Sequence, residues 1–294
     1  LRDFGCYTAG GRIHRVAEGE PFPIQVTRDS SYLYDPRGHF AVEHAYVQFF
    51  IPERRNSAPP VVLVHGGGTH GATWETTPDG RPGWLHLLVR RGYEVHVVDA
   101  VERGRAGWMP GLWQGDPILR SMEEAWSLFR FGPPEGFSDR LPFPGQQFPV
   151  EHIERLARSL TPRWLSTSRL QIAALVAVLE KTGPAILVTH SQGGEIGFDA
   201  QALRPDLVAA IVAVEPSAAP AGITTLAKCP TVLLVGDFLD VDDKIVARSE
   251  LWRDTIDRGA ALNQPNHLLD TRRDIAPGGS HMLMMDRHGE ACLD

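Results

Sequence analysis

Ser191 lies in a short stretch, "VTHSQGGE" (188–195), that continues the apolar run "AILVTH". A serine at a sharp turn between a strand and a helix exposes its hydroxyl at the edge of a sheet, where it can act as a nucleophile. Such a turn needs small neighbours; Gly193 and Gly194 provide them, whereas Thr189 stands where a glycine is usual. Ser191 is therefore a candidate nucleophile, and the alternative is a serine that only caps the following helix.

A glycine-rich loop, "HGGGTHG" (65–71), directly follows an apolar strand upstream of the serine. Glycines let the backbone approach a ligand closely and point N–H groups at it. The amides of Gly67 and Gly68, with that of Gln192 after the candidate nucleophile, would form an oxyanion hole. The alternative is an ordinary glycine-rich turn.

A general base is expected near the C-terminus, because the chain order serine, acid, histidine is typical of this kind of site. His281 is the candidate, since the glycine-rich loop "GGSHMLMMDR" is of the kind that presents a base toward a strand end. His267, in a predicted surface loop ("NQPNHLLD"), and His288, after a charged pair, compete with it.

The acid that orients the histidine could come from two places. Glu215 ends an apolar strand in "VAVEPS" and precedes a proline, which is unusual for a core residue, and it lies one strand over from Ser191. The loop after the strand "TVLLVGD" also offers carboxylates. As alternatives, the glutamate is a surface residue and the aspartates form a solvated acidic turn. These aspartates are Asp237, Asp240, Asp242 and Asp243.

The elements that must position these residues alternate between strands and helices from Val61 onward, after a β-rich stretch at 1–60. This alternation predicts an α/β fold in which helices cover both faces of a mostly parallel sheet. Ligands of such sheets bind at the carboxyl ends of the strands, where the candidate residues lie. Strands are predicted at 61–66, 93–100, 185–190, 207–216 and 230–237, and helices at 83–92, 117–132, 163–183 and 193–204.

Residues 108–150 interrupt the alternation with many aromatic residues and prolines around one predicted helix. An excursion between a core strand and the next core helix is typical of a lid. We therefore predict a core domain formed by residues 1–107 and 151–294, with a lid inserted at 108–150. The alternative is a small helical excursion whose aromatic side chains only pack on the body.

The strand and glycine loop, the serine turn and the late histidine together resemble the α/β-hydrolase fold family over nearly the whole chain. Within that family the sequence is similar to one branch of bacterial esterases, whose hallmark strings are present here. These strings are "TWETTPDGRPGW" (73–84), "DAVERGRAG" (99–107), "HSQGG" (190–194), "VEPS" (214–217) and "GGSHMLMMDR" (278–287).

The resemblance implies that Glu215 is the acid rather than Asp240, because in that branch the acid is a glutamate ending the strand after the nucleophile's helix. The branch also tolerates a residue other than glycine at the position of Thr189. The chain departs from the branch at Gly67 and Gly68, where members can carry adjacent cysteines. The oxyanion donors would be backbone amides in either case.

These residues predict acyl transfer, in which His281 takes the proton of Ser191 and the serine attacks an ester, thioester or lactone carbonyl. No cofactor and no metal is expected, because the sequence has no HExxH motif and no clustered Cys and His residues. C–C hydrolase or lyase chemistry, or ligand binding with little turnover, are the alternatives. An apolar or aromatic ester is expected, in a pocket shaped by Trp74, Trp108 and Trp113.

The net charge of −7 and the absence of a basic patch argue against a nucleic-acid partner. No apolar run approaches the roughly 20 residues that a membrane-spanning helix needs. Cys6, Cys229 and Cys292 are too widely spaced for a disulfide framework or a metal site. The numbering starts at Leu1, so we expect an N-terminus trimmed by processing or cloning. Compartment, cytoplasmic or exported, and oligomeric state, a homodimer included, are left open.

Overall fold

Short apolar strands alternate with helices along the chain, because a strand that is buried on both faces must be covered from both sides. The computed structural model of the protein describes residues 1–223, 226–262 and 264–294. Its strands are β1 (Asp3–Val16), β2 (Phe22–Thr27), β3 (Ser30–Tyr34), β4 (Gly38–Ile51), β5 (Val61–Val64), β6 (Val95–Asp99), β7 (Ala185–His190), β8 (Val208–Val214), β9 (Thr231–Val235) and β10 (Asn266–Asp270). Its α-helices are α1 (Trp84–Arg90), α2 (Met122–Leu128), α3 (Ile153–Ala157), α4 (Ser168–Thr182), α5 (Gln192–Leu203), α6 (Asp243–Gly259) and α7 (Thr271–Asp274).

One sheet contains eight of these strands, in the order β1-β4-β6-β5-β7-β8-β9-β10, and β2 and β3 form a separate hairpin. From β6 to β10 the neighbouring strands are parallel. β4 runs antiparallel to both β6 and β1. The predicted α/β fold with a mostly parallel sheet is thus confirmed. Parallel pairing brings the carboxyl ends of β5, β7, β8 and β9 to one edge of the sheet.

The core lies on both faces of the sheet and holds that edge in place. The side chains of β5 alternate between the faces, as strand geometry requires. Val61 and Leu63 pack with α1 and with residues 282–285, whereas Val62 and Val64 pack with the buried sides of α4 and α5. The segment that carries His281 is therefore part of the hydrophobic core.

The helix predicted at 163–183 begins only at Ser168. Before it, Arg163 forms an isolated β-bridge with Ile118 through two backbone hydrogen bonds of 2.8 and 3.0 Å, and residues 165–166 form a turn. This pairing ties Ile118, in the segment that interrupts the α/β alternation, to Arg163, which lies after that segment. In the part of the chain that is described, no helix is both long and apolar enough to cross a membrane.

Two further expectations differ from the structure. The helix predicted at 117–132 is reduced to α2, because Ser121 caps it by accepting a hydrogen bond of 3.1 Å from the Glu124 amide. His267, predicted in a surface loop, lies in β10, since "NHLLD" pairs with β9 in parallel register. The extra strand closes the sheet at the edge beyond β9.

Some of residues 108–150 are buried in the hydrophobic core, and others are exposed at the surface. The rings of Phe131 and Phe148 stack at 3.8 Å and are fully buried, and Trp126 is buried beside them. In contrast, Trp108 and Leu141 are exposed. The segment around Trp126 and Phe131 and its end at Phe148 therefore belong to the hydrophobic core, while Trp108 and Leu141 lie at the surface. That the segment works as a lid stays a prediction.

Thr189 fits into the β7–α5 packing because a glycine faces it from the helix. The Thr189 side chain is buried, and a Cβ atom on Gly197 would lie 2.8 Å from its methyl group. The larger side chain of Thr189 thus fills the space that a side chain at position 197 would otherwise occupy. Thr189 is accommodated without displacing the turn that follows it.

This complementarity predicts coupled effects of two substitutions. Gly197→Ala is expected to destabilise the fold, because the clash costs about 1–3 kcal/mol against a helix-propensity gain of about 1 kcal/mol. In a Thr189→Ser background, which keeps the hydroxyl and removes the methyl, Gly197→Ala should become neutral or stabilising. Urea unfolding of the wild type, both single variants and the double variant measures the coupling. Additive effects would contradict the assigned contact.

Candidate active site

Ser191 lies between β7 and α5 with a φ of +50°. A serine in this left-handed region carries strain of about 1–3 kcal/mol, which the surroundings must hold in place. Its N–H donates to the Val214 carbonyl (3.0 Å), and its carbonyl accepts from the Ser217 N–H (2.9 Å). The side chain makes no capping hydrogen bond with any described residue of α5. The contacts therefore do not support a capping role for Ser191, which instead lines a cavity.

Two glycines after Ser191 let α5 start directly against the sheet edge. A Cβ on Gly193 would lie 2.5 Å from the His65 carbonyl oxygen, and one on Gly194 would overlap Pro216. Neither neighbour is the far end of a flexible side chain, so neither can give way easily. The glycines of "HSQGG" are thus required by the close approach of backbone to backbone.

His281 is buried and lines the same cavity as Ser191. Its Nδ1 lies 2.8 Å from Oε2 of Glu215, its backbone N–H donates to the Phe129 carbonyl (3.0 Å), and its ring stacks on that of Phe129. Burial lowers the pKa of His281 below its ordinary value, although the Glu215 carboxylate opposes that shift. The Nδ1–H to carboxylate bond leaves Nε2 as the free acceptor.

Glu215 directly follows β8 and is completely buried. Arg130 donates to both of its oxygens, at 2.8 and 2.6 Å, and the Gly236 amide adds a third hydrogen bond of 2.6 Å. Burial alone would raise the pKa of Glu215, but Arg130 and the bond to His281 outweigh it and hold that pKa well below its usual range. The carboxylate is therefore ionised beside the histidine.

His190 fixes the backbone of His281. Its Nε2 donates to the His281 carbonyl at 3.0 Å, and the two rings lie 4.7 Å apart. Burial, helped by the nearby His281, lowers the pKa of His190 well below its ordinary value. His190 is therefore a neutral donor, which ties the histidine loop to the strand that carries Ser191.

The loop after β5 brings backbone amides to the cavity. Gly67 lines the cavity with Ser191 and Gln192. No described residue accepts a hydrogen bond from the Gly67, Gly68 or Gln192 amides. Gly68 has a φ of +75°, and its carbonyl accepts from the Thr161 N–H (2.9 Å). Free amides beside a serine can stabilise negative charge that develops on a carbonyl oxygen.

His65 holds the first residues of this loop. Its Nδ1 donates to the Gly66 carbonyl (2.8 Å), and its Nε2 accepts from the Ala100 amide (3.1 Å). Burial, together with the nearby charge of Arg103, lowers the pKa of His65 to about 3. The imidazole is therefore neutral and serves as a structural bridge between the loop and the end of β6.

The string at 99–107 holds the rest of the loop. Asp99 is fully buried and accepts hydrogen bonds from the amides of Gly71 (2.7 Å) and Arg105 (2.9 Å). Arg103, also fully buried, pairs with Glu102 at 3.0 Å and turns its Nη1 toward two carbonyl oxygens of the loop. The string at 99–107 is thus bonded to the glycine loop at several points.

The string at 73–84 clamps the segment that carries His281. Arg81 donates to the carbonyls of Asp286 (2.9 Å) and Met285 (2.8 Å). Within the segment, the Asp286 carboxylate accepts from the Ser280 amide (2.7 Å) and hydroxyl (2.6 Å). Burial raises the pKa of Asp286 to about 7. His281 therefore sits in a closed loop whose position is set by its neighbours.

A cavity of about 670 Å³ opens above Ser191 and His281. Its charged side chains include Arg120, from the inserted segment, and Arg163, whose backbone pairs with Ile118 of that segment. Its apolar side chains are Leu128, Phe129, Phe143, Leu165, Val241 and Ile245. The wall is thus mixed, with cations close to the glycine loop.

The three tryptophans expected to shape this pocket lie elsewhere. Trp74 is fully buried in the core, where its ring packs at 5.7 Å from that of Trp84. Trp108 and Trp113 pack on Trp164 and line a separate cavity of about 610 Å³ against the N-terminal strands. None of the three lines the cavity above Ser191, so the expectation of a tryptophan-lined pocket was wrong.

Of the competing acids and histidines, only Asp242 lines the cavity, and among the described residues none of them hydrogen-bonds to the ring of His281. Asp240 is exposed, and Asp242 caps α6 by accepting from the Lys244 amide (2.8 Å). Asp237 accepts from the amides of Phe238 and Gly278. The remaining three do not line the cavity: Asp243 begins α6, His267 is exposed in β10, and His288 is half-buried.

Arg130, Arg163 and His190 were not singled out from the sequence. Each acts across a long chain separation: Arg130 on Glu215, Arg163 on Gln192, and His190 on His281. The only available signal was the position of His190 directly before Ser191. Nothing local in the sequence around the two arginines marks them.

A solved structure described as that of a novel bacterial esterase is similar to this chain over its full length. The sequences are 30% identical, the match covers 100% of this chain and 93% of that one, and the TM-score is 0.86. A likeness of this extent covers every element that carries the site.

Two curated proteins match parts of the chain. A probable secreted lipase (phiG) of a fungal species is 31% identical over 187 residues, 60% of this chain and 50% of that protein. The lipase LipV of Mycobacterium tuberculosis is 32% identical over 98 residues, 32% of this chain and 37% of that protein. The chain thus matches about half or less of these relatives' length. Residues 61–233 match the model of the alpha/beta hydrolase family, and the chain belongs to that family.

Proposed function

We propose that the protein is a serine hydrolase of carboxylic esters, with Ser191 as nucleophile, His281 as general base and Glu215 as the orienting acid. The observation that carries this proposal is the shared cavity of Ser191 and His281, with a buried carboxylate 2.8 Å from His281 Nδ1. The likeness to a bacterial esterase and to two lipases agrees with it.

The reaction follows from the roles of these groups. Nε2 of His281 takes the proton of the Ser191 hydroxyl as its oxygen attacks the ester carbonyl carbon. The resulting oxyanion collapses and expels the alcohol, which takes the proton back from His281. Water, deprotonated by the same histidine, then attacks the acyl-enzyme, and the carboxylic acid leaves with Ser191 restored. Thioesters and lactones fit the same steps.

The amides of Gly67 and Gln192 are proposed to bind the oxyanion, with Gly68 as the third candidate. Their lack of an acceptor among the described residues supports this role. A preorganised amide of this kind contributes about 3–4 kcal/mol to the transition state. The string at 99–107, which braces the glycine loop, then serves catalysis by preventing that loop from relaxing away from the serine.

Ionised Glu215 has two proposed effects on His281. It fixes the tautomer that leaves Nε2 free, and it stabilises the imidazolium formed in the transition state. The pKa of His281, lowered by burial, keeps the ring neutral and ready to accept a proton near neutral pH. We further propose that residues 108–150 cover the site as a lid on a core of 1–107 and 151–294.

Labelling with a fluorophosphonate tests the nucleophile. The reagent is expected to modify Ser191, as mapped by mass spectrometry, and Ser191→Ala should abolish labelling and lower kcat for p-nitrophenyl acetate by several orders of magnitude. Exposed Ser57 offers the control variant Ser57→Ala, which should behave as the wild type. Activity that survives in Ser191→Ala would contradict the assignment, and absent labelling would favour a binding protein or another chemistry.

Two carboxamide substitutions test the acid. Glu215→Gln is expected to lower kcat by about 10⁴-fold, because the amide favours the wrong tautomer of His281. Asp240→Asn should keep the wild-type kcat. Circular dichroism establishes that both variants are folded before rates are compared. A Glu215→Gln variant that is folded and fully active would exclude Glu215 from the mechanism.

The pH profile of kcat/KM tests the base. Only neutral His281 accepts a proton, so kcat/KM should be constant at high pH and fall tenfold per pH unit below the pKa of the free enzyme. Because burial lowers that pKa from 6.5, the midpoint should lie below pH 6.5. The substrate must have no titratable group. A midpoint above 6.5 would mean that another group is the base or that His281 is more hydrated.

A further inference from the structure

Arg163 projects into the cavity beside the proposed oxyanion hole. Its Nη1 donates to Oε1 of Gln192 at 2.9 Å, and a Cβ atom on Gly67 would overlap the guanidinium. Its backbone is held by the two bonds to Ile118, and the neighbouring Thr161 amide binds the Gly68 carbonyl. The guanidinium is therefore fixed against the two residues whose amides would bind the carbonyl oxygen of the substrate.

No described carboxylate lies within 4.0 Å of Arg163. The two other buried arginines near the site each have one, since Arg103 pairs with Glu102 at 3.0 Å and Arg130 with Glu215 at 2.6 Å. Arg163 is half-buried, and burial together with the charge of Arg120 lowers its pKa. A guanidinium in a partly dry cavity is costly without a counter-charge, so this position favours an anionic ligand.

The carboxylates of Glu102, Glu124 and Glu195 favour the charged form of Arg163, but only from beyond ion-pair distance. Glu124 is ion-paired with Arg120 instead, and Glu215 with Arg130. The cavity wall has five cationic side chains, which are Arg120, Arg130, Arg163, Lys244 and Arg248, against the carboxylates of Glu124, Glu195 and Asp242 and that of Glu215 behind the wall. In a chain of net charge −7, this excess of positive charge at the site is a local feature.

We infer that Arg163 binds a carboxylate carried by the substrate ester, so that the preferred substrates are monoesters of dicarboxylic acids or esters of hydroxy acids. The planar guanidinium matches a carboxylate through two parallel hydrogen bonds. One uncompensated guanidinium suits a single negative charge. Its place beside Gly67 and Gln192 puts the carboxylate within a few bonds of the reacting carbonyl. This inference rests on the proposed ester hydrolysis.

The first experiment compares pairs of esters that differ only in charge. Monomethyl glutarate is matched with methyl 5-methylhexanoate, in which an isopropyl group replaces the carboxylate of the acyl chain. The acetate ester of 4-hydroxybutanoate is matched with 4-methylpentyl acetate, which tests a carboxylate on the alcohol side. For each pair, kcat/KM of the anionic ester is divided by that of its neutral match. In at least one pair, Arg163→Gln should lower this ratio by about 10–100-fold relative to the wild type, mainly by raising KM for the anionic ester.

Two further variants control this comparison. Arg163→Lys keeps the charge and loses the planar fork, so its ratio should lie between those of the wild type and Arg163→Gln. Arg158→Gln removes an exposed arginine outside the cavity and should leave the ratio as in the wild type. Equal losses on charged and neutral esters would overturn the inference, because Arg163 would then act on the reacting carbonyl. An unchanged ratio in both pairs would overturn it as well.

A binding experiment separates this inference from the proposed function. In Ser191→Ala, calorimetry should detect tighter binding of monomethyl glutarate, or of the hydroxybutanoate ester, than of its neutral match. Adding Arg163→Gln should remove that preference, with circular dichroism as the check of folding. If the wild type hydrolyses none of the esters, the proposed function fails while binding still tests Arg163. If it hydrolyses them and neither binding nor rate depends on charge at Arg163, only the present inference fails.

Discussion

The buried negative charge of Glu215 is the interaction on which the rest of the site depends. A carboxylate without solvent contact must be compensated, and removing one partner of such a buried pair costs about 3–5 kcal/mol. Here the compensation comes from three separate parts of the chain: Arg130 in the inserted segment, the Gly236 amide after β9, and His281 near the C-terminus. The carboxylate thereby draws these parts together and orients the imidazole with the same contacts.

The strained backbone at Ser191 is a second constraint, because the loops packed around it must be held in place by the hallmark strings. A strained backbone persists only where its surroundings over-determine it. The loop that begins at His65 passes so close to the turn that position 193 has no room for a side chain. That loop is braced by 99–107, and the histidine loop by 73–84. The strings at 99–107 and 73–84 thus help to hold Ser191, the glycine loop and His281 in position.

The sequence predicts what depends on local pattern, and it fails where distant parts of the chain meet. Apolar runs and glycine turns were enough for the α/β fold and for the place of Ser191 at a strand end. The direction taken by Trp74 was not predictable, because a tryptophan near a glycine loop can face the core or the cavity, and tertiary packing decides. Arg130 and Arg163 act on residues brought near only by the fold, and no local motif marks such contacts.

The same contacts limit how the segment 108–150 can move if it is a lid. Arg130 is bonded to Glu215, the Phe129 carbonyl accepts from His281, and the Phe131 ring is buried in the core. Displacing this stretch would leave a buried carboxylate without its main counter-charge. Opening of the cavity therefore has to occur on either side of residues 129–131, with those residues as a fixed point. The contacts of residues 129–131 thus support Glu215 and His281, whether or not the rest of the segment moves.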